Sequence, residues 1–253
     1  EITYGDWSSD VCSSDLGPEG RRLWRRHAGA LPHRGSDRGD RRQDGQAREP
    51  LAHRLLQQAM RSCQSDEESR RNLIICIDAL RSLWTFKPEK VESWKEALQI
   101  LDHVKCVVSH AREFDLDAIY ILKAARLSMQ AGVFSAMALN AFVEAQNSLH
   151  LTLSLLEKAE SGRNCPSRRL KAEVLLELGR VYRYQGSYTE SERSLLESLE
   201  ISQQLSRIDT VASQAVADTL HEIGVLEVKK HSLDSAAQFL QRSLELRQSL
   251  PDT

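Results

Sequence analysis

His103, Cys106 and His110 stand at i, i+3 and i+7, close to the spacing that gathers metal-ligating side chains on one helix face. The ordinary alternative is packing, with Cys106 as a small buried hydrophobe. Serine and cysteine occur throughout, but no element forces a base beside one of them, so nucleophilic catalysis is not indicated. Neither GxxxxGK followed by Ser or Thr nor GxGxxG occurs, which leaves no phosphate cradle. The cysteines Cys12, Cys63, Cys76, Cys106 and Cys165 share no short CxxC spacing and read as reduced thiols, not as a disulfide framework or zinc knuckle. Trp84 and Trp94 flank the Pro88 turn and read as hairpin core. The expectation is a chain that is no enzyme and holds no cofactor or metal.

Attention therefore moves to the elements such residues sit on. At 253 residues with 41% apolar content, the chain can build one large or two small cores. Thirty-four Lys and Arg against 36 Asp and Glu give a net charge of −2, which removes the usual electrostatic case for nucleic acid or anionic membrane as partner. No uncharged apolar run reaches the length of a membrane span, and the N-terminus lacks a signal-peptide layout. A soluble, cytoplasmic protein is expected, without membrane insertion.

Composition changes near Pro50. Residues 17–50 hold nine Arg and six of the twelve Gly but no Lys, Ile, Val, Phe or Tyr. Such a segment buries too little apolar surface to offset an ordering entropy of roughly 1–2 kcal/mol per residue, so 1–50 are expected to be disordered. Residues 6–16, DWSSDVCSSDL, resemble the conceptual translation of a sequencing adapter, and the Arg/Gly-rich stretch behind them reads as out-of-frame sequence.

From Leu51 onward only five Gly and two internal Pro, Pro88 and Pro166, interrupt apolar residues spaced three and four apart, the mark of helices. Leu98, Leu101, Val104, Val108 and Ala111 trace one such stripe. Breaks are predicted at 65–66, 86–88, 114–115, Gly132, 161–162, Gly186, 206–207 and 231–232, dividing the segment into about nine helices joined as antiparallel hairpins.

The chain also resembles itself. Setting 179–202 against 224–247 aligns Gly179 with Gly224, Tyr188 with Leu233, Leu195 with Leu240, and Ser198-Leu199-Glu200 with Ser243-Leu244-Glu245. A weaker copy at 125–145 puts Ala125 in the glycine position, Gly132 on Gly186 and Phe134 on Tyr188. Leu178-Gly179, Tyr182, Gly186, Tyr188, Leu195 and Ser198 resemble the tetratricopeptide repeat, in which a small residue lets two helices approach and an aromatic and a leucine fill the gap between hairpins. Ser191 and Glu227 depart from the pattern and are expected to weaken local packing. The copy at 217–253 is similar to repeats of the kinesin-light-chain and nephrocystin type, whose units exceed 34 residues, and it stops where another would begin, so truncation at Thr253 is expected. Residues 67–117, with Trp94, Leu98, Leu101, His103 and Ala111, resemble the helical segment ahead of the repeats in STAND ATPases of the NB-ARC type.

These resemblances imply an all-α solenoid, a right-handed superhelix of antiparallel hairpins. A helical lead-in would occupy 51–114 and repeats 115–253. They further imply a groove lined by the ninth and thirteenth residues of each unit, counting the glycine position as the eighth. Those residues are Arg126 and Gln130, Arg180 and Tyr184, Val225 and Lys229, with Arg183 alongside. A basic groove with one aromatic implies an acidic peptide partner for a non-catalytic scaffold. The alternative implied by the second resemblance is the ligand-sensing arm of a signalling ATPase.

Overall fold

The computed structural model describes residues 65–159, 165–206 and 210–250. The expectations for residues 1–50, for the adapter-like stretch, for the break at 161–162 and for Thr253 lie outside these. The chain divides into two compact units, 1–68 and 69–253. In the first, Ser65 and Glu68 form a reciprocal capping box: the Glu68 N–H donates to Ser65 Oγ at 3.2 Å, and the Ser65 N–H donates to Glu68 Oε2 at 3.0 Å.

Eight helices and no strand occur among the described residues: α1 Asp66–Leu83, α2 Glu92–Glu113, α3 Ala118–Met137, α4 Phe142–Ala159, α5 Cys165–Tyr184, α6 Tyr188–Ser206, α7 Thr210–Lys229 and α8 Leu233–Ser249. In the second unit α3–α4, α5–α6 and α7–α8 are antiparallel hairpins, and α4 packs on α5 and α6 on α7, so hairpin follows hairpin in an all-α solenoid. The first helices α3, α5 and α7 also touch in succession. None of the helices is long and apolar enough to cross a membrane.

The buried stripe of α2 is Ala97, Leu101, Val104, Val108 and Ala111. Leu98, expected in that stripe, is 50% exposed, because the packed row runs through its smaller neighbour Ala97. His103, which the resemblance to the STAND segment places in packing, and Cys106 lie off the row and are exposed, so neither packs in the core. Trp84 is buried in core and meets Phe134 and Phe86 edge to face at ring distances of 6.0 and 6.3 Å.

Three of the breaks show how each hairpin turns. After α5 the Ser187 N–H donates to the Tyr182 carbonyl at 2.9 Å, with Gly186 left-handed at φ 78°. After α7 the Ser232 N–H donates to Glu227 O at 2.9 Å, with His231 at φ 62°. This six-to-one bond around a left-handed residue is the Schellman end of a helix. After α3 the corresponding bond runs from the Ala141 N–H to Ser135 O, one residue longer, and Asn140 takes φ 52°.

The predicted break at Gly132 is therefore absent. Gly132 lies within α3, where a Cβ would meet Leu149 Cγ at 3.1 Å and Ala145 O at 3.2 Å. Gly179 faces Leu195 in the same way, at 2.5 Å, and Gly224 faces Leu240 at 2.7 Å and Ala236 O at 3.4 Å. Gly132 is thus the counterpart of Gly179 and Gly224, and the position assigned to Ala125 belongs to it. The cause is the extra residue in the α3–α4 turn, which moves the turn residue eight places beyond the glycine instead of seven.

The two departures from the repeat pattern are accommodated. Ser191, fully buried, donates its hydroxyl to the Gly179 carbonyl at 2.7 Å across the hairpin. Glu227 accepts from Lys230 Nζ at 2.7 Å, and Lys230 also reaches Glu192 at 3.0 Å. Those two carboxylates, as hydrogen-bond acceptors, hold the Lys230 ammonium above its ordinary pKa. Two further buried hydroxyls repeat in register: Ser198 donates to Ala172 O at 2.8 Å and Ser243 to Ala217 O at 2.7 Å.

The crossings differ in tightness, and this ranks their tolerance of a methyl group. At Gly179 an alanine gains about 1 kcal/mol of helix propensity but overpacks Leu195 at a typical cost of about 1–3 kcal/mol, so Gly179→Ala should lower stability in urea unfolding. Gly132→Ala, with contacts no closer than 3.1 Å, should lie near zero or slightly positive. Equal effects at the two sites would contradict the assigned crossings.

Candidate functional site

With Gly132, Gly179 and Gly224 in register, the first helices α3, α5 and α7 carry a grid of equivalent side chains. Six residues before the glycine stand Arg126, Glu173 and Asp218, and two before it Gln130, Glu177 and Glu222. One after it stand Val133, Arg180 and Val225, and five after it Met137, Tyr184 and Lys229. Arg126 and Gln130, expected at the ninth and thirteenth positions, thus belong to rows seven residues earlier. Val133 and Met137 take their places beside Arg180, Tyr184, Val225 and Lys229.

The face is not basic, because carboxylates occupy the same rows as the arginines. Arg126 Nη1 meets Glu173 Oε2 at 2.9 Å between α3 and α5. Arg180 donates to Glu177 at 2.7 Å on its own helix and to Glu222 at 2.9 Å on α7. Arg183 donates to the other oxygen of Glu222 at 3.0 Å, and both of these side chains are only 10% exposed. Asp218 accepts from Arg247 at 2.9 Å. Glu222 is therefore shared by two guanidiniums and ties α5 to α7 with charge-assisted hydrogen bonds.

Burial pushes the Glu177 carboxyl above its ordinary pKa. Arg180 opposes that shift, while the carboxylates of Glu222 and Glu173 add to it. Burial also works against the charge of Arg180, but Glu177 and Glu222 outweigh it and hold the guanidinium above its ordinary value.

The row nearest the turns is different. Tyr184 is 62% exposed, with its ring stacked on Phe142 of α4 at 5.5 Å and 15°. The Arg183 guanidinium lies 4.6 Å from the Tyr184 ring centroid, and Arg183 Nε is buried without a hydrogen-bond partner. Met137 is exposed on one side of Tyr184 in the grid, and Lys229 on the other is exposed with no ion-pair partner among the described residues. Val225 is half-buried.

No group of three His, Cys, Asp or Glu side chains is placed to hold a metal ion among the described residues. An open cleft of about 200 Å³ lies between α4, α5 and α6, lined by Leu153, Leu156 and Leu175 with the Lys171–Glu197 pair at its rim.

The sequence reading missed Glu173, Glu177, Asp218 and Glu222, and it missed Phe142. The signal was present: Glu177 and Glu222 are identical residues 45 apart, and the acidic Glu173 and Asp218 stand at the same interval, just ahead of the aligned glycines.

The sequence model of the tetratricopeptide repeat family matches residues 170–249, which covers α6, α7 and α8 whole and most of α5. No curated protein matches the chain.

Breaking a buried ion pair costs about 3–5 kcal/mol, a ceiling here because Arg180 is 34% exposed. Glu222→Gln leaves two guanidiniums on one neutral amide and should cost roughly 1–3 kcal/mol in urea unfolding. Glu177→Gln should behave differently with pH. A carboxyl whose folded pKa lies above its unfolded one takes up its proton on folding, so its contribution is present at low pH and is lost as pH rises through the raised value. Relative to the wild type, Glu177→Gln should therefore gain stability as pH rises from the ordinary carboxyl range toward neutrality. A constant difference across that range would place the titration elsewhere.

Proposed function

We propose that the chain is a non-catalytic binding scaffold that holds a peptide segment of a partner protein on the face formed by α3, α5 and α7. Tetratricopeptide repeats mediate contacts between proteins, and the match over 170–249 supports that general role. The observation that carries the reading is the grid itself. Three helices that touch in succession and run in the same direction set equivalent side chains side by side, an arrangement suited to an elongated ligand.

The glycines recur 47 and 45 residues apart, and units longer than 34 residues support the likeness to kinesin-light-chain and nephrocystin repeats. Of the residues proposed for the site, Arg126, Arg180 and Arg183 act first as ties between helices, while Tyr184 and Lys229 are open to a ligand. Gln130 and Val225 complete the floor.

Selecting a displayed library of random dodecapeptides on the full chain tests this. Recovered peptides should cross-link to a photoreactive phenylalanine analogue placed at Val225 and not to one at Glu157 on α4. Cross-linking at Glu157 alone would overturn the reading.

A further inference from the structure

The grid separates into rows that are already satisfied and one that is not. Glu173 neutralises Arg126, Glu177 and Glu222 hold Arg180, and Glu222 holds Arg183. An acidic ligand reaching for these arginines must displace a protein carboxylate from each, exchanging one ion pair for another with little net gain. Among the described residues, the row of Met137, Tyr184 and Lys229 has no such internal competitor.

Within that row the chemistry is graded. Met137 is 50% exposed, and just beyond it Leu139 and Val143, at 41% and 61%, extend the apolar surface along the longer α3–α4 turn. Tyr184, held flat by Phe142 beneath it, is a rigid aromatic ledge, and such rings are enriched at binding hot spots because little side-chain entropy is lost on contact. Lys229, its counterpart on α7, supplies the cation. Arg183, already paired with Glu222, lays its guanidinium against the Tyr184 ring and backs the ledge.

Resting on the scaffold reading above, we infer that the row of Met137, Tyr184 and Lys229 is the recognition edge of this face, and that it takes an extended segment with an apolar side chain followed by a carboxylate. The apolar side chain lies on Met137 and Tyr184, and the carboxylate pairs with Lys229. Touching helices lie about 8–10 Å apart and an extended chain advances about 3.3 Å per residue, so the carboxylate belongs about three residues from the apolar anchor.

The library selection is repeated on the wild-type chain and on three variants, with thermal melting confirming that each is folded. Peptides recovered on the wild type should carry an aromatic or aliphatic residue with Asp or Glu about three positions away. Tyr184→Ser should weaken their binding by about tenfold or more, the effect of removing a hot-spot anchor. Lys229→Glu should shift the recovered residue from Asp or Glu to Lys or Arg. Glu157→Ser, exposed on α4 and away from this face, should leave affinity within about twofold.

Peptides that cross-link at Val225 yet show no acidic preference, or bind Lys229→Glu as they bind the wild type, would overturn this inference and leave the scaffold reading standing. Failure to cross-link at Val225 would overturn both. Self-association of the chain that Tyr184→Ser abolishes would make a second copy the occupant and overturn the peptide assignment.

Discussion

The structure of the hairpins turns on the missing side chain where their two helices cross. Gly179 and Gly224 face Leu195 and Leu240 closely enough that a Cβ would lie within 3 Å of the leucine, and Gly132 stands against Leu149 in the same manner. A larger residue would hold the helices apart, and the hydroxyl bonds that cross between them depend on that closeness. Ser191 reaches the carbonyl of Gly179 itself, at the crossing. Ser198 and Ser243 reach Ala172 and Ala217 further along the same hairpins. An apolar contact of this kind sets distance but not rotation; the hydroxyls, being directional, fix the rotation as well. Distance and rotation together determine which residues of α3, α5 and α7 share a row.

Between hairpins the constraint is electrostatic. Glu222 receives Arg180 and Arg183, and Glu173 receives Arg126, so charges on one first helix are met by charges on the next. A desolvated ion pair contributes little net stability, but it penalises every alignment in which a charge loses its partner. The apolar residues behind these pairs, among them Leu178, Leu220 and Leu226, supply burial and tolerate small sliding movements. The ionic ties do not. Glu177, buried beside Glu222 and Glu173, is the strained member of the set.

Much of this was legible in the residues. Helices could be recognised because apolar positions three and four apart admit no strand, and Gly179 and Gly224 because the sequence around them repeats at one interval. Gly132 was misplaced because a glycine reads the same at a turn and at a crossing, and only the left-handed Asn140 reveals the extra residue in the α3–α4 turn. Leu98 was misjudged because a larger apolar residue attracts the assignment away from Ala97, whereas packing at close range favours the smaller one. The charges were the hardest to read. Arg126, Arg180 and Arg183 declare their sign, but whether they are free depends on carboxylates on other helices, some 40 residues or more away, and no local pattern records that meeting.

A stack of similar units carries an inherent ambiguity, since a bound strand could shift by one unit and find the same surroundings again. The three residues of the turn-side row, a thioether, a phenol and an ammonium, share no chemistry. Displacing a strand by one hairpin would set its acid against an aromatic ring in one direction, or its greasy group against a cation in the other. The array thereby acquires a direction and a starting point, and the lengthened corner at Asn140 marks where that count begins.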